Sequence, residues 1–165
     1  MKKFLILGGS SGIGKSIAKK CLENNNKVII TGRSEDKLIE TKNQLKTLGD
    51  ISQFSADFGD LENLEVKINN FIKTNQSLDG LVINGPLPPL KTFNSSSIED
   101  WEYSINSTIL ASVFIIKKLL EIDFADTTQN KQPQFNHLTL LMPITEFLTW
   151  YQNFGFTMVA GVAGY

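Results

Sequence analysis

The sequence predicts an α/β fold built on a doubly wound parallel sheet, and three features of it point there. Short apolar runs alternate with longer amphipathic ones, the rhythm of strand, helix, strand. The first two runs, "FLIL" (4–7) and "VIIT" (28–31), are almost wholly apolar, as strands covered on both faces should be. A glycine-rich turn, "GGSSGIG" (8–14), directly follows the first run and opens a stretch with helical spacing.

Each element follows in order. Ile13, Ile17, Cys21 and Leu22 share one face of a first helix, where Cys21 reads as a packed small residue. Leu38, Leu45 and Leu48 mark a second helix from Glu35 to Leu48, stopped by Gly49. A third strand, "ISQFSAD" (51–57), has Ile51 and Phe54 as its anchors. Leu61, Leu64, Ile68, Phe71 and Ile72 give a third helix, and "LDGLVING" (78–85) a fourth strand. Three prolines make "GPLPPLKTFNSSS" (85–97) a loop, because proline cannot donate to a helix or a central strand. A long helix follows, with Ile98, Trp101, Ile105, Ile109, Val113, Ile116 and Leu120 at helical spacing. The polar "ADTTQNKQPQ" (125–134) is expected to be flexible, "FNHLTLLMP" (135–143) to be a fifth strand, and the remainder to be a loop entering a helix.

Length and composition narrow the function. The chain of 165 residues, 41% hydrophobic, suits a single domain spanning 1–165. Its 16 basic residues against 17 acidic ones leave a net charge of −1, without the cationic excess that nucleic-acid binding relies on. A single cysteine, Cys21, excludes an internal disulfide and a cysteine-rich zinc site. The opening "MKKFLIL" imitates a secretory signal, but Gly8, Gly9 and Ser10 break it early, and no apolar stretch is long enough to span a bilayer. The expectation is a cytoplasmic protein with neither nucleic acid nor membrane as a partner.

The glycine turn fits two phosphate-binding patterns. Gly9, Gly14, Lys15 and Ser16 satisfy G-x-x-x-x-G-K-[ST], whose backbone N–H groups wrap a nucleoside triphosphate while Lys and Ser meet phosphate and magnesium. Gly8, Gly12 and Gly14 satisfy G-x-x-x-G-x-G, in which glycines let backbone and helix N-terminus approach a dinucleotide pyrophosphate. A magnesium site also needs an acid at the end of a neighbouring apolar strand. The strands "VIIT", "GLVI" and "HLTLLM" are followed or ended by Gly32, Asn84 and Pro143, and only the weak strand before Asp57 ends in an acid. The dinucleotide reading is preferred, and an ATP- or GTP-binding P-loop protein stays as the alternative.

Four segments, "LGGSSGIG", "ITGRSEDKL", "ADFGD" and "LVINGP", resemble in order and spacing the cofactor-binding motifs of the short-chain dehydrogenase/reductase family. The resemblance runs in register from Met1 to about Leu120 and more loosely to Tyr165, and "NGPLPPL" resembles the family's 3-oxoacyl-acyl-carrier-protein reductase-like branch. It implies a Rossmann fold, shortened at its C-terminal end, whose cofactor loop is Gly8, Ser10, Ser11, Gly12, Ile13 and Gly14. Arg33 and Ser34 follow the second strand, where the adenosine ribose should lie. An acid there would bind the 2′-OH, whereas Arg33 offers a cationic fork suited to a 2′-phosphate, so NADP(H) is favoured over NAD(H). The bland alternative for Arg33 is a solvated turn residue. Asp57, with Phe58 beside it, is placed to accept from the adenine amino group or simply to cap a turn. Asn84 ties strand ends together, and Gly85 lets a ribose pass close to backbone.

The same resemblance implies a catalytic Tyr, Lys, Ser and Asn. Asn106 aligns with the Asn, which anchors a water chain. Gly155 and Val159 stand where Tyr and Lys are expected, Met142 or Pro143 stands near the Ser, and no Y-x-x-x-K occurs in the sequence. Tyr151 has no cation four residues on, so it reads as a packed or rim aromatic; Thr145 is a substitute hydroxyl by proximity alone; His137 reads as structural, and Tyr165 cannot begin a motif. The reading is therefore a ketoreductase-like oxidoreductase by resemblance, with a small ketone or acyl substrate and weak or absent turnover. A non-catalytic paralogue pairing with a full-length relative is the other alternative, and a homo-oligomer through the helix 98–120 is the implied assembly.

Overall fold

In the computed structural model, which describes residues 1–75, 77–86, 91–125 and 137–141, the apolar runs become strands β1 (Lys3–Leu7), β2 (Lys27–Gly32), β3 (Ile51–Ser55), β4 (Gly80–Asn84) and β5 (His137–Leu141). They form one parallel sheet in the order β3-β2-β1-β4-β5. Leu7 at the end of β1 pairs with Thr31 on one side and Ile83 on the other, so β1 is the middle strand. Leu5, Ile6 and Leu7 are completely buried, which is why the run shows no alternation.

With helices α1 (Gly12–Glu23) and α2 (Glu35–Leu45), these strands make one compact unit of the chain. Its core gathers Ile6, Ala18, Leu22, Val28, Ile30, Leu38, Leu45, Ile51 and Val82. Each fully buried Leu or Ile stabilises the fold by about 1.5–3 kcal/mol relative to exposure. The buried line of α1 is Gly14, Ala18 and Leu22, small residues first. Ile13, expected on that face, is instead 52% exposed on the first turn. Cys21 packs half-buried against the core, and burial pushes its thiol pKa up. Helix α2 ends at Leu45, earlier than expected. Leu48 turns back with its N–H on the Leu45 carbonyl and is exposed.

The second unit holds residues 56–77 and the chain from Gly85 through the next helices. Helix α3 (Leu61–Thr74) starts at Asp60, whose carboxylate accepts from the Asn63 N–H, and buries Leu64, Ile68 and Phe71. It packs on α5 (Ala111–Ala125), with Lys118 Nζ 4.0 Å from Glu65. Helix α4 (Ile98–Ile105) begins with a reciprocal capping box between Ser97 and Asp100. The Lys91 ammonium and the Ser97 N–H hold the Asp100 carboxyl below its usual pKa.

The expected single long helix is broken in phase. A π-helical turn, Asn106–Leu110, separates α4 from α5. One extra residue in a turn rotates everything beyond it by about 100°. Much of the predicted stripe lies off the buried face: Ile98 is 70% exposed and Trp101 and Ile105 each 46%, while Ile116 of that stripe is buried together with Ala111, Ile115 and Leu119. No helix among the described residues is long and apolar enough to cross a membrane. The segment expected to be flexible (from 126 on) and the closing helix lie outside the described residues.

Candidate functional site

The sheet order itself selects a place. The chain steps outward from β1 to β2 to β3, then returns to pair β4 on the other flank of β1. In a parallel sheet this reversal makes the loops after β1 and β4 diverge, leaving a crevice at the strands' carboxyl ends. The loop after β1 is the glycine turn.

Gly8 and Gly14 press on backbone atoms of the protein itself. Gly8 has φ +70°, and a Cβ on it would stand 2.0 Å from the Asn84 carbonyl oxygen. Asn84 Nδ2 donates in return to the Gly8 carbonyl at 3.3 Å, so the expected tie between strand ends is present. A Cβ on Gly14 would stand 2.2 Å from the Gly8 carbonyl oxygen. The first turn of α1 thus rests directly on the loop.

Gly12 differs. Its φ is +53°, yet a Cβ there would meet nothing within 4 Å among the described residues. The helix it opens also lacks its own anionic complement: Ser11 is the N-cap but makes no side-chain cap, and the first turn carries no acid. Helices α2, α3 and α4 are each capped by Ser34, Asp60 and Ser97. An uncapped N-terminus presents backbone N–H groups and the positive end of the helix dipole to the space beside Gly12. That arrangement fits a phosphate-bearing ligand.

The loop is also locked to β2. Gly9 N–H donates to the Thr31 carbonyl at 2.9 Å, and the Ser10 carbonyl accepts from Thr41 Oγ1 at 2.8 Å. Gly32 lies close enough to Ser10 that a Cβ would be 3.1 Å from its Oγ. The turn after β2 therefore shares the rim with the glycine loop. Arg33, exposed, is the next residue, and Ser34 accepts from the Lys37 N–H at 3.3 Å to cap α2.

The residues of the triphosphate pattern are engaged elsewhere. Lys15 Nζ donates to Gln44 Oε1 on α2, and Ser16 Oγ donates to the Gly12 carbonyl at 3.0 Å. The hydroxyl back-bonds its own helix, as serines within helices do.

In the second unit, Asp57 Oδ1 accepts from the Gly59 N–H at 2.9 Å and from the Tyr103 hydroxyl at 3.3 Å. The Phe58 side chain is buried, so what it can offer a ligand is its main chain. At Gly85 a Cβ would meet, among the described residues, only the Ser107 carbonyl oxygen, at 3.8 Å. Asn106 opens the π-helical turn, its carbonyl accepting from the Ala111 N–H five residues on. The partnership of Tyr103 with Asp57 has no sequence signal, the two being 46 residues apart. Strand β5 carries His137, while Met142, Pro143, Thr145, Tyr151, Gly155, Val159 and Tyr165 lie outside the described residues.

The profile of the family described as short chain dehydrogenase matches residues 2–129. This chain belongs to that family. Among curated relatives, a 3-dehydrosphinganine reductase of Arabidopsis thaliana is 32% identical over 117 residues, covering 70% of this chain and 34% of the relative. An NADP-dependent 3-hydroxy acid dehydrogenase of Salmonella typhi is 27% identical over 117 residues, covering 70% of this chain and 46% of its own length. The short chain dehydrogenase fold is matched by the Pseudomonas aeruginosa RhlG/NADP complex, with TM-score 0.71 and 22% identity over 85% of this chain and 54% of that one. It is matched likewise by L-sorbose reductase from Gluconobacter frateurii complexed with NADPH and L-sorbose, with TM-score 0.70 and 20% identity over 84% and 51%. The chain thus spans between a third and about half of these relatives.

Proposed function

We propose that this short chain dehydrogenase family member binds NADP(H), as part of a ketoreductase-like oxidoreductase acting on a small ketone or acyl substrate. The observation that carries the reading is the uncapped first turn of α1 beside Gly12, where a Cβ would meet no atom of another described residue within 4 Å. The cofactor's pyrophosphate would lie against Gly8, Ser10, Ser11, Gly12, Ile13 and Gly14, its 2′-phosphate at Arg33 and Ser34, its adenine at Asp57 and the Phe58 main chain, and its ribose beside Asn84 and Gly85. The NADPH and NADP complexes among the solved relatives support the choice of ligand. When bound, the cofactor supplies a hydride. Asn106 is assigned to hold a water on the proton's path, and the π-helical turn that starts there supports this, because such turns recur at functional sites.

The proton donor is not assigned, since no Y-x-x-x-K occurs in the 165 residues. Mixing the protein with NADPH and a panel of ketones separates binding from turnover. The expected result is a change in nicotinamide emission on binding with little or no fall in nicotinamide absorbance. A rapid fall would place the donor within this chain, and no change in emission would count against the reading itself.

A further inference from the structure

Tyr103, on α4, belongs to no motif, yet it is built into the turn that follows β3. Its ring lies on Gly59 so closely that a Cβ there would stand 2.1 Å from Cε2 and 2.3 Å from Cδ2. Only glycine permits that contact. The ring's hydroxyl end reaches Asp57 Oδ1 at 3.3 Å, and the Gly59 N–H reaches the same oxygen at 2.9 Å. Gly59 therefore seats the ring on one side and fixes the carboxylate on the other.

We propose that Tyr103 is a positioning residue for cofactor recognition, its seat on Gly59 and its bond to Asp57 Oδ1 holding the carboxylate so that Oδ2 meets the adenine amino group. The inference rests on the reading of Asp57 as the adenine-side acceptor. A carboxylate on an Asp side chain rotates in a broad, roughly two-fold well. Two donors on one oxygen remove that freedom before a ligand arrives, draw on neither lone pair of the second oxygen, and lower the ordering cost of binding. The helix carrying Tyr103 is itself anchored one turn earlier. Asp100 closes the capping box with Ser97 and takes Lys91 Nζ at 2.6 Å.

The test compares affinity for NADPH with affinity for its hypoxanthine analogue, in which a carbonyl oxygen replaces the adenine amino group. Both are measured by fluorescence titration on the wild type, Tyr103→Phe, Gly59→Ala and Asp57→Asn. The wild type is expected to prefer NADPH by about tenfold, the size of one hydrogen bond to a charged group. Tyr103→Phe keeps the ring on Gly59, and should reduce the preference to about threefold or less by weakening NADPH alone. Gly59→Ala, which displaces the ring, should erode it in the same way, and Asp57→Asn should abolish it. An unchanged preference in Tyr103→Phe, or equal weakening of both ligands, overturns the positioning role while leaving Asp57 as the acceptor. If the wild type shows no preference, the adenine reading of Asp57 fails, and the proposal with it.

Discussion

Gly8→Ala is expected to destabilise the protein by about 2–4 kcal/mol and to abolish dinucleotide binding. Two costs add. The φ of +70° disfavours any L-residue by about 1 kcal/mol. The new methyl would also stand 2.0 Å from the Asn84 carbonyl oxygen, a backbone atom at the end of a fully paired strand that cannot swing aside as a side chain would. Overpacking of that kind costs about 1–3 kcal/mol. Gly12→Ala is the informative contrast. It meets nothing within 4 Å, so only the φ cost of about 1 kcal/mol should appear in urea unfolding, while the methyl intrudes on the space assigned to the pyrophosphate. Gly8→Ala should therefore lose stability and binding together, and Gly12→Ala mainly binding. Equal stability losses in the two variants would contradict the distinction.

Arg33→Ala should weaken NADPH binding by about 1–3 kcal/mol, roughly 5- to 150-fold, and leave NADH nearly unchanged. The residue lies directly after β2, on the rim that the Ser10–Gly32 contact joins to the glycine loop. A guanidinium binds phosphate with a planar fork, whereas an ammonium acts as a point charge, so Arg33→Lys should recover part of the loss. Because Arg33 is exposed, added salt should reduce the difference between NADPH and NADH. Equal losses for both cofactors, read by the same titration, would remove the 2′-phosphate role.

The strands were readable because residues buried on both faces leave no alternation to misinterpret, as in Leu5, Ile6 and Leu7. The helix after residue 97 was readable in extent but not in phase. Nothing in its spacing announces an inserted residue at Asn106, and the stripe from Ile98 to Ile105 falls on an exposed face. Ile13 misled similarly, since an apolar residue on the first turn of a helix need not share the face that packs later. The glycine pattern fits two phosphate-binding motifs, and the sequence leaves both open. The partners that Lys15 and Ser16 take, Gln44 (29 residues away) and a helix carbonyl, are not readable from either pattern. The pairing of Tyr103 with Asp57 is a long-range contact of the same sort.

The central claim is that the turn after β1 accommodates a dinucleotide pyrophosphate and not a magnesium-bound triphosphate. Thermal unfolding with NADPH at about a hundredfold over its dissociation constant, and with Mg-ATP at the same concentration, tests it most directly, since binding at that excess adds about 2.7 kcal/mol. The account predicts that NADPH raises Tm by roughly 5–10 °C while Mg-ATP leaves it unchanged. Stabilisation by Mg-ATP, with none by NADPH, would contradict it.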